Sequence, residues 1–139
     1  MVVDDDAGAA KVVTWILSQN QFSVRCMHDP KKALEEFKKN PGRYKAIVVD
    51  ASMPGMTGFE FARRIKKISS ETRIILLTDF EIGKPEFKKV FPSSRIDDIV
   101  VKPTTADHLM QAIAGFGNSP LADFGHKFSG DLPGFQRAL

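Results

Sequence analysis

The sequence has one cysteine, one tryptophan and one tyrosine in 139 residues, and no long apolar run. A lone cysteine excludes an internal disulfide and offers no thiolate cluster to a zinc ion. Cys26 lies in the apolar-polar run from Phe22 to Met27 and reads as a small buried hydrophobe. No stretch approaches the roughly 18 consecutive apolar residues that a membrane span requires. The start, Met1-Val2-Val3-Asp4-Asp5-Asp6, has neither a basic region nor an apolar segment of signal-peptide length. The expectation is therefore a cytoplasmic chain without a membrane partner. Charge of one sign is lacking too: 20 Lys+Arg stand against 17 Asp+Glu, a formal net charge of +3. The basic pairs Lys31/Lys32, Lys38/Lys39, Arg63/Arg64, Lys66/Lys67 and Lys88/Lys89 are scattered over the polar sides of predicted helices. They read as solvated faces rather than a nucleic-acid surface. At 42% hydrophobic and 27% charged, the chain can build one ordinary core unaided by disulfide or structural metal.

What is present is alternation. Short apolar runs take turns with segments of helical period, the pattern of a parallel α/β sheet. Val2-Val3 runs into Asp4, Asp5 and Asp6, and a helix follows over about Ala9 to Gln19, with Val12, Val13, Trp15 and Ile16 grouped on one face. Phe22 to Met27 reads as a second strand. Asp29-Pro30 then starts a helix, Asp as N-cap and Pro at the first position. Ala33, Leu34 and Phe37 form its buried stripe, and Asn40-Pro41-Gly42 ends it. Ala46-Ile47-Val48-Val49 is a strand covered on both faces, ending in Asp50. The loop 51–58 leads to a helix with Phe59, Ala62, Ile65 and Ile68 at helical spacing. Ile74 to Leu77 ends at Thr78, and Ile99 to Val101 ends at Lys102-Pro103. Thr105 caps a last helix with Leu109, Ala112, Ile113 and Phe116 inward. Between the last two strands, Pro85 and Pro92 bracket at most two turns of helix. Beyond Gly115 the pattern decays into a tail with glycines, prolines and Phe124, Phe128 and Phe135, too short and unpatterned for a helix-turn-helix.

The strand ends carry the chemistry. In a parallel sheet all carboxyl ends lie on one edge, where such folds bind ligands. Asp4, Asp5, Asp50, Thr78 and Lys102 would converge there. Any one of these alone reads as a turn or a cap; their conjunction is what points to a site. Carboxylates so close need a cation between them, and an all-oxygen set suits Mg²⁺. A lysine and a hydroxyl opposite would hold an oxyanion. This is the equipment for phosphoryl transfer onto a carboxylate, with Asp50 as the attacking group.

These motifs, Val2-Val3-Asp4-Asp5-Asp6, Val48-Val49-Asp50 with the loop to Gly58, Leu76-Leu77-Thr78 and Val100-Val101-Lys102-Pro103, resemble the CheY-like receiver domains of two-component response regulators. The resemblance covers residues 1–116, leaving 117–139 as a C-terminal tail, disordered or docked. It implies a three-layer, doubly wound α/β fold with a five-stranded parallel sheet in the order 2-1-3-4-5. It implies Asp50 as phosphoacceptor and Asp5 as a direct Mg²⁺ ligand, with Asp4 assisting. Ser52 would contribute its backbone carbonyl to the metal. Thr78 matches the hydroxyl that swings toward the phosphoryl group, Lys102 the bridging lysine, and Pro103 a proline after a cis bond. The implied partners are a sensor histidine kinase or phosphotransfer protein and a downstream protein target, with a homodimer as a further expectation and no nucleic acid bound directly.

Four features depart from the family pattern. Asp79 replaces a small residue after Thr78, and its charge would slow phosphorylation unless the side chain turns outward. Ile99 stands where an aromatic switch residue is common. The fourth helix is made irregular by Pro85 and Pro92. The first strand is short, either brief by nature or truncated. Two other classes remain open at this point. A phosphorylation-independent interaction module is favoured by Asp79 and Ile99 and opposed by the intact acidic set. An aspartyl-phosphate phosphatase would want a second acid where Ser52 stands, and a substrate cap.

Overall fold

The computed structural model describes residues 1–79 and 95–115. Within them, β1 (Val2–Val3), β2 (Cys26–Met27), β3 (Ala46–Asp50), β4 (Arg73–Thr78) and β5 (Asp98–Val101) form one parallel sheet ordered β2-β1-β3-β4-β5. The helices are α1 (Ala7–Gln19), α2 (Pro30–Lys39), α3 (Gly58–Ile68) and α4 (Ala106–Ala114). The order is the doubly wound, three-layer one expected. The irregular helix expected between β4 and β5, with Pro85 and Pro92, lies outside the described residues, as do Phe116 and the tail from 117.

Strand alternation explains the two cores. Successive side chains on a strand point to opposite faces, so Ile47 and Val49 join α2 and α3 through Leu34, Phe37, Phe61 and Ile65. Ala46 and Val48 join α1 and α4 on the other face, through Val13, Leu17, Leu109 and Ile113. Every residue of β3 is buried, which is why its sequence is an unbroken apolar run up to Asp50. The caps fall where the sequence places them. Asp29 accepts from the Lys31 amide at 2.8 Å, and Thr105 Oγ1 accepts from the His108 amide at 3.2 Å.

Several expectations are corrected. β2 is two residues, not the run from Phe22, because only Cys26 and Met27 lie in register with Val2 and Val3. On α1 the buried face is Ala10, Val13, Ile16 and Leu17; Val12 and Trp15 point to solvent at 57% and 61% exposure. At 100° per residue, Ala10, Val13, Ile16 and Leu17 share an arc of about 120° on the helix, and Val12 and Trp15 fall outside it. On α3 the buried apolar side chains are Phe61, Ala62 and Ile65, with Ile68 exposed. Lys66, read as part of a solvated basic face, is buried; its Nζ lies 2.7 Å from Asp97 Oδ2. Cys26 is half-buried rather than buried. Lys88 and Lys89 lie outside the described residues. Among the described residues no helix is long and apolar enough to cross a membrane.

Candidate functional site

Each group arrives at the sheet edge because an apolar strand stops there. Asp4 follows β1, and its amide still donates to the Met27 carbonyl (3.1 Å), so it is held as a strand residue. It is buried, and its Oδ1 accepts the Asp6 amide at 3.0 Å, turning the chain into α1. Asp6 is the N-cap, accepting from the Gly8 and Ala9 amides at 2.9 and 3.1 Å. The acidic run is thereby divided: Asp6 belongs to the helix, while Asp4 and the exposed Asp5 belong to the edge. A cap of this kind is worth about 1 kcal/mol.

Asp50 ends β3, opposite Leu77 of β4, and is buried. Its Oδ2 accepts the Ser52 amide at 3.2 Å and its Oδ1 faces Lys102 Nζ at 2.6 Å. Gly58 explains how the loop after Asp50 closes. A Cβ there would overlap the Asp50 carbonyl oxygen and come within 2.8 Å of Leu76 Cδ1, so only glycine lets α3 start against the strand end. Thr78 ends β4 and is fully buried. Its carbonyl accepts the Lys102 amide at 2.7 Å, tying β5 to β4 at the same level. Lys102 then reaches across, with Nζ also 3.3 Å from Asp4 Oδ2. The Lys102–Pro103 peptide is cis, as expected.

One carboxylate oxygen from each of Asp4, Asp5 and Asp50 lies within 4.8 Å of the other two, so the three can close on a single cation. The electrostatics call for one. Desolvation raises the Asp4 carboxyl above its ordinary value, and the neighbouring Asp50 charge adds to this against the Asp6 amide and Lys102. Desolvation works to lower the Lys102 ammonium, but its hydrogen bond to Asp50 and the charges of Asp4 and Asp50 outweigh it and hold the pKa above the usual lysine value. Three carboxylates against one ammonium leave an excess of negative charge, and a hard divalent cation fits such oxygen donors.

Asp4, Asp5, Asp50, Thr78 and Lys102 thus all stand at one edge. Ser52 is exposed and its amide is committed to Asp50. Asp79 is exposed, and Ile99 is buried in the α2–α3 core. Two residues have roles that the sequence reading did not assign. One is Gly58, whose signal was its place at the end of a Pro-Gly-Met-Thr-Gly loop. The other is His28, whose Nδ1 lies 3.0 Å from the Asp4 carbonyl oxygen. Its signal was that it directly follows β2, the strand beside β1.

Comparison with known proteins agrees with this fold. The model of the response regulator receiver domain matches residues 1–114. Response regulator MprA of Mycobacterium avium is 33% identical over 110 residues, 79% of this chain and 46% of MprA. The autoinducer 1 sensor kinase/phosphatase LuxN of Vibrio harveyi is 30% identical over 122 residues, 88% of this chain and 14% of LuxN. The chain therefore spans less than half the length of these relatives. Among solved structures, the chemotaxis protein CheY4 of Vibrio cholerae superposes with a TM-score of 0.72 at 29% identity, covering 81% of this chain and 92% of that one.

Proposed function

This chain belongs to the response regulator receiver domain family, and we propose that Asp50 is its phosphoacceptor, with Asp4, Asp5, Asp50 and the Ser52 carbonyl holding Mg²⁺. The observation that carries the reading is the state of the Asp50 carboxylate. One oxygen is held by Lys102 and the other by the Ser52 amide, with two further carboxylates within 4.8 Å.

The chemistry follows from these positions. A carboxylate oxygen of Asp50 attacks phosphorus in a phosphohistidine of a sensor kinase or phosphotransfer protein. The new O–P bond forms as the P–N bond breaks, and the electron pair leaves with the imidazole. Bound Mg²⁺ would neutralise charge on the phosphoryl oxygens. Lys102, already 2.6 Å from Asp50, takes up charge on the product, and the Thr78 hydroxyl supplies a further donor. Attack of water on phosphorus restores the carboxylate and releases phosphate. The domain thus acts as a switch with self-catalysed chemistry rather than a turnover enzyme. Its setting is the cytoplasm and its output is contact with a downstream protein. The phosphoryl group acts by binding one of two existing conformations better than the other.

The test is mass spectrometry after incubation with acetyl phosphate, with and without Mg²⁺, beside Asp50→Asn. The expected result is one adduct of about 80 Da on the native chain only, and only with Mg²⁺. An adduct that persists in Asp50→Asn would refute the assignment.

A further inference from the structure

The Asp5 carboxylate is the exposed member of the acidic set, and among the described residues no hydrogen bond or ion pair to its side chain is found. Where it points therefore depends on how the peptide before it is held. Asp4 is fixed on its amide side by the Met27 carbonyl (3.1 Å), the last main-chain rung between β1 and β2. On its carbonyl side the partner is a side chain, His28 Nδ1 at 3.0 Å. A carbonyl oxygen only accepts, so Nδ1 carries the hydrogen and the imidazole extends the ladder by one rung. The Asp4 carbonyl belongs to the same planar peptide as the Asp5 amide. Fixing that plane removes one of the rotations that would carry Asp5 away from Asp4 and Asp50.

We propose that His28 is a positioning residue for the cation: by holding the Asp4–Asp5 peptide through the Asp4 carbonyl, its imidazole presents the Asp5 carboxylate to the metal. The proposal rests on the Mg²⁺ site described above. Groups that orient metal ligands in this way commonly change affinity by about 10- to 100-fold when removed. His28 sits at the lower end, since it acts on a ligand's backbone rather than on a ligand atom.

The experiment is Mg²⁺ titration by calorimetry, with thermal melts in EDTA alongside, on the native chain, His28→Leu, His28→Asn, Asp5→Asn and His28→Leu/Asp5→Asn. Asparagine places an amide N–H near the position of Nδ1. Native binding with about tenfold weaker binding by His28→Leu and recovery to within about threefold by His28→Asn is the expected result. The loss due to His28→Leu should also vanish when Asp5 is already Asn, because the two act through one element. A fall in the EDTA melting temperature with unchanged Mg²⁺ affinity would make His28 merely structural and overturn the proposal. So would a His28→Leu loss that persists in full beside Asp5→Asn. If His28→Leu does not fold, His28→Asn against Asp5→Asn decides: an asparagine that binds Mg²⁺ as weakly as Asp5→Asn overturns it. Failure of the native chain to bind Mg²⁺ refutes the metal site itself, and the proposal with it.

Discussion

Replacing Asp5 by Asn should stabilise the metal-free domain while weakening its response to Mg²⁺. Asp5 lies within 4.8 Å of both Asp4 and Asp50 by one oxygen of each carboxylate. Because Asp5 is exposed, the dielectric around it is close to that of water, and repulsion at that distance is about 0.9 kcal/mol per neighbour. Two neighbours, offset in part by Lys102, leave about 1 kcal/mol, which for a domain of this size is a rise of about 3–5 °C in melting temperature. Among the described residues no hydrogen bond is lost to set against it. With Mg²⁺ the sign reverses. At free Mg²⁺ a hundredfold above its Kd the native domain gains about 2.7 kcal/mol, and a tenfold weaker site gains only about 1.4. Thermal melts in EDTA and in saturating Mg²⁺ therefore give two curves that move in opposite directions. A variant that melts lower than the native protein in EDTA would show that the cluster is not electrostatically strained. An undiminished Mg²⁺ shift would show that Asp5 is not a ligand.

Three other outcomes are expected. Gly58→Ala forces a Cβ onto the Asp50 carbonyl oxygen and Leu76; the expected loss is about 3 kcal/mol in urea unfolding, with Mg²⁺ affinity falling as the strand end shifts. Tyr44 is the only tyrosine, so tyrosinate absorbance reports it alone. Burial, then its 3.0 Å hydrogen bond to Glu36 and the charge of Glu36, raise it above 10.0, so the folded chain keeps a proton that the unfolded chain loses. Stability should fall as pH rises past about 10, and Tyr44→Phe should remove that part of the loss. Asp79→Ala should change the rate of phosphorylation from acetyl phosphate less than about threefold, since an exposed charge is screened; a tenfold acceleration would show that Asp79 faces the phosphoryl group.

The presence of apolar strands and their common edge were legible in the residues, whereas the strand order 2-1-3-4-5 came only with the family resemblance. Apolar runs such as Ala46–Val49 are local signals, and a parallel sheet puts every carboxyl end on one side, so Asp4, Asp5, Asp50, Thr78 and Lys102 could be gathered from spacing alone. Asp29 and Thr105 were legible as caps for the same reason, because a cap bonds to amides two or three residues on. What the sequence left undecided depends on contacts between distant segments. Which of Val12, Val13, Trp15 and Ile16 is buried depends on how α1 rolls against the sheet. Lys66 is buried rather than solvated because Asp97, 31 residues away, meets it. Asp6 separates from Asp4 and Asp5 only once the turn into α1 exists. Gly58 and His28 matter through main-chain carbonyls, those of Asp50 and Asp4, and every residue carries such a carbonyl. Residue type at one position does not reveal which carbonyl it will meet; only the tertiary structure, by setting β2 beside β1 and α3 against the end of β3, decided that.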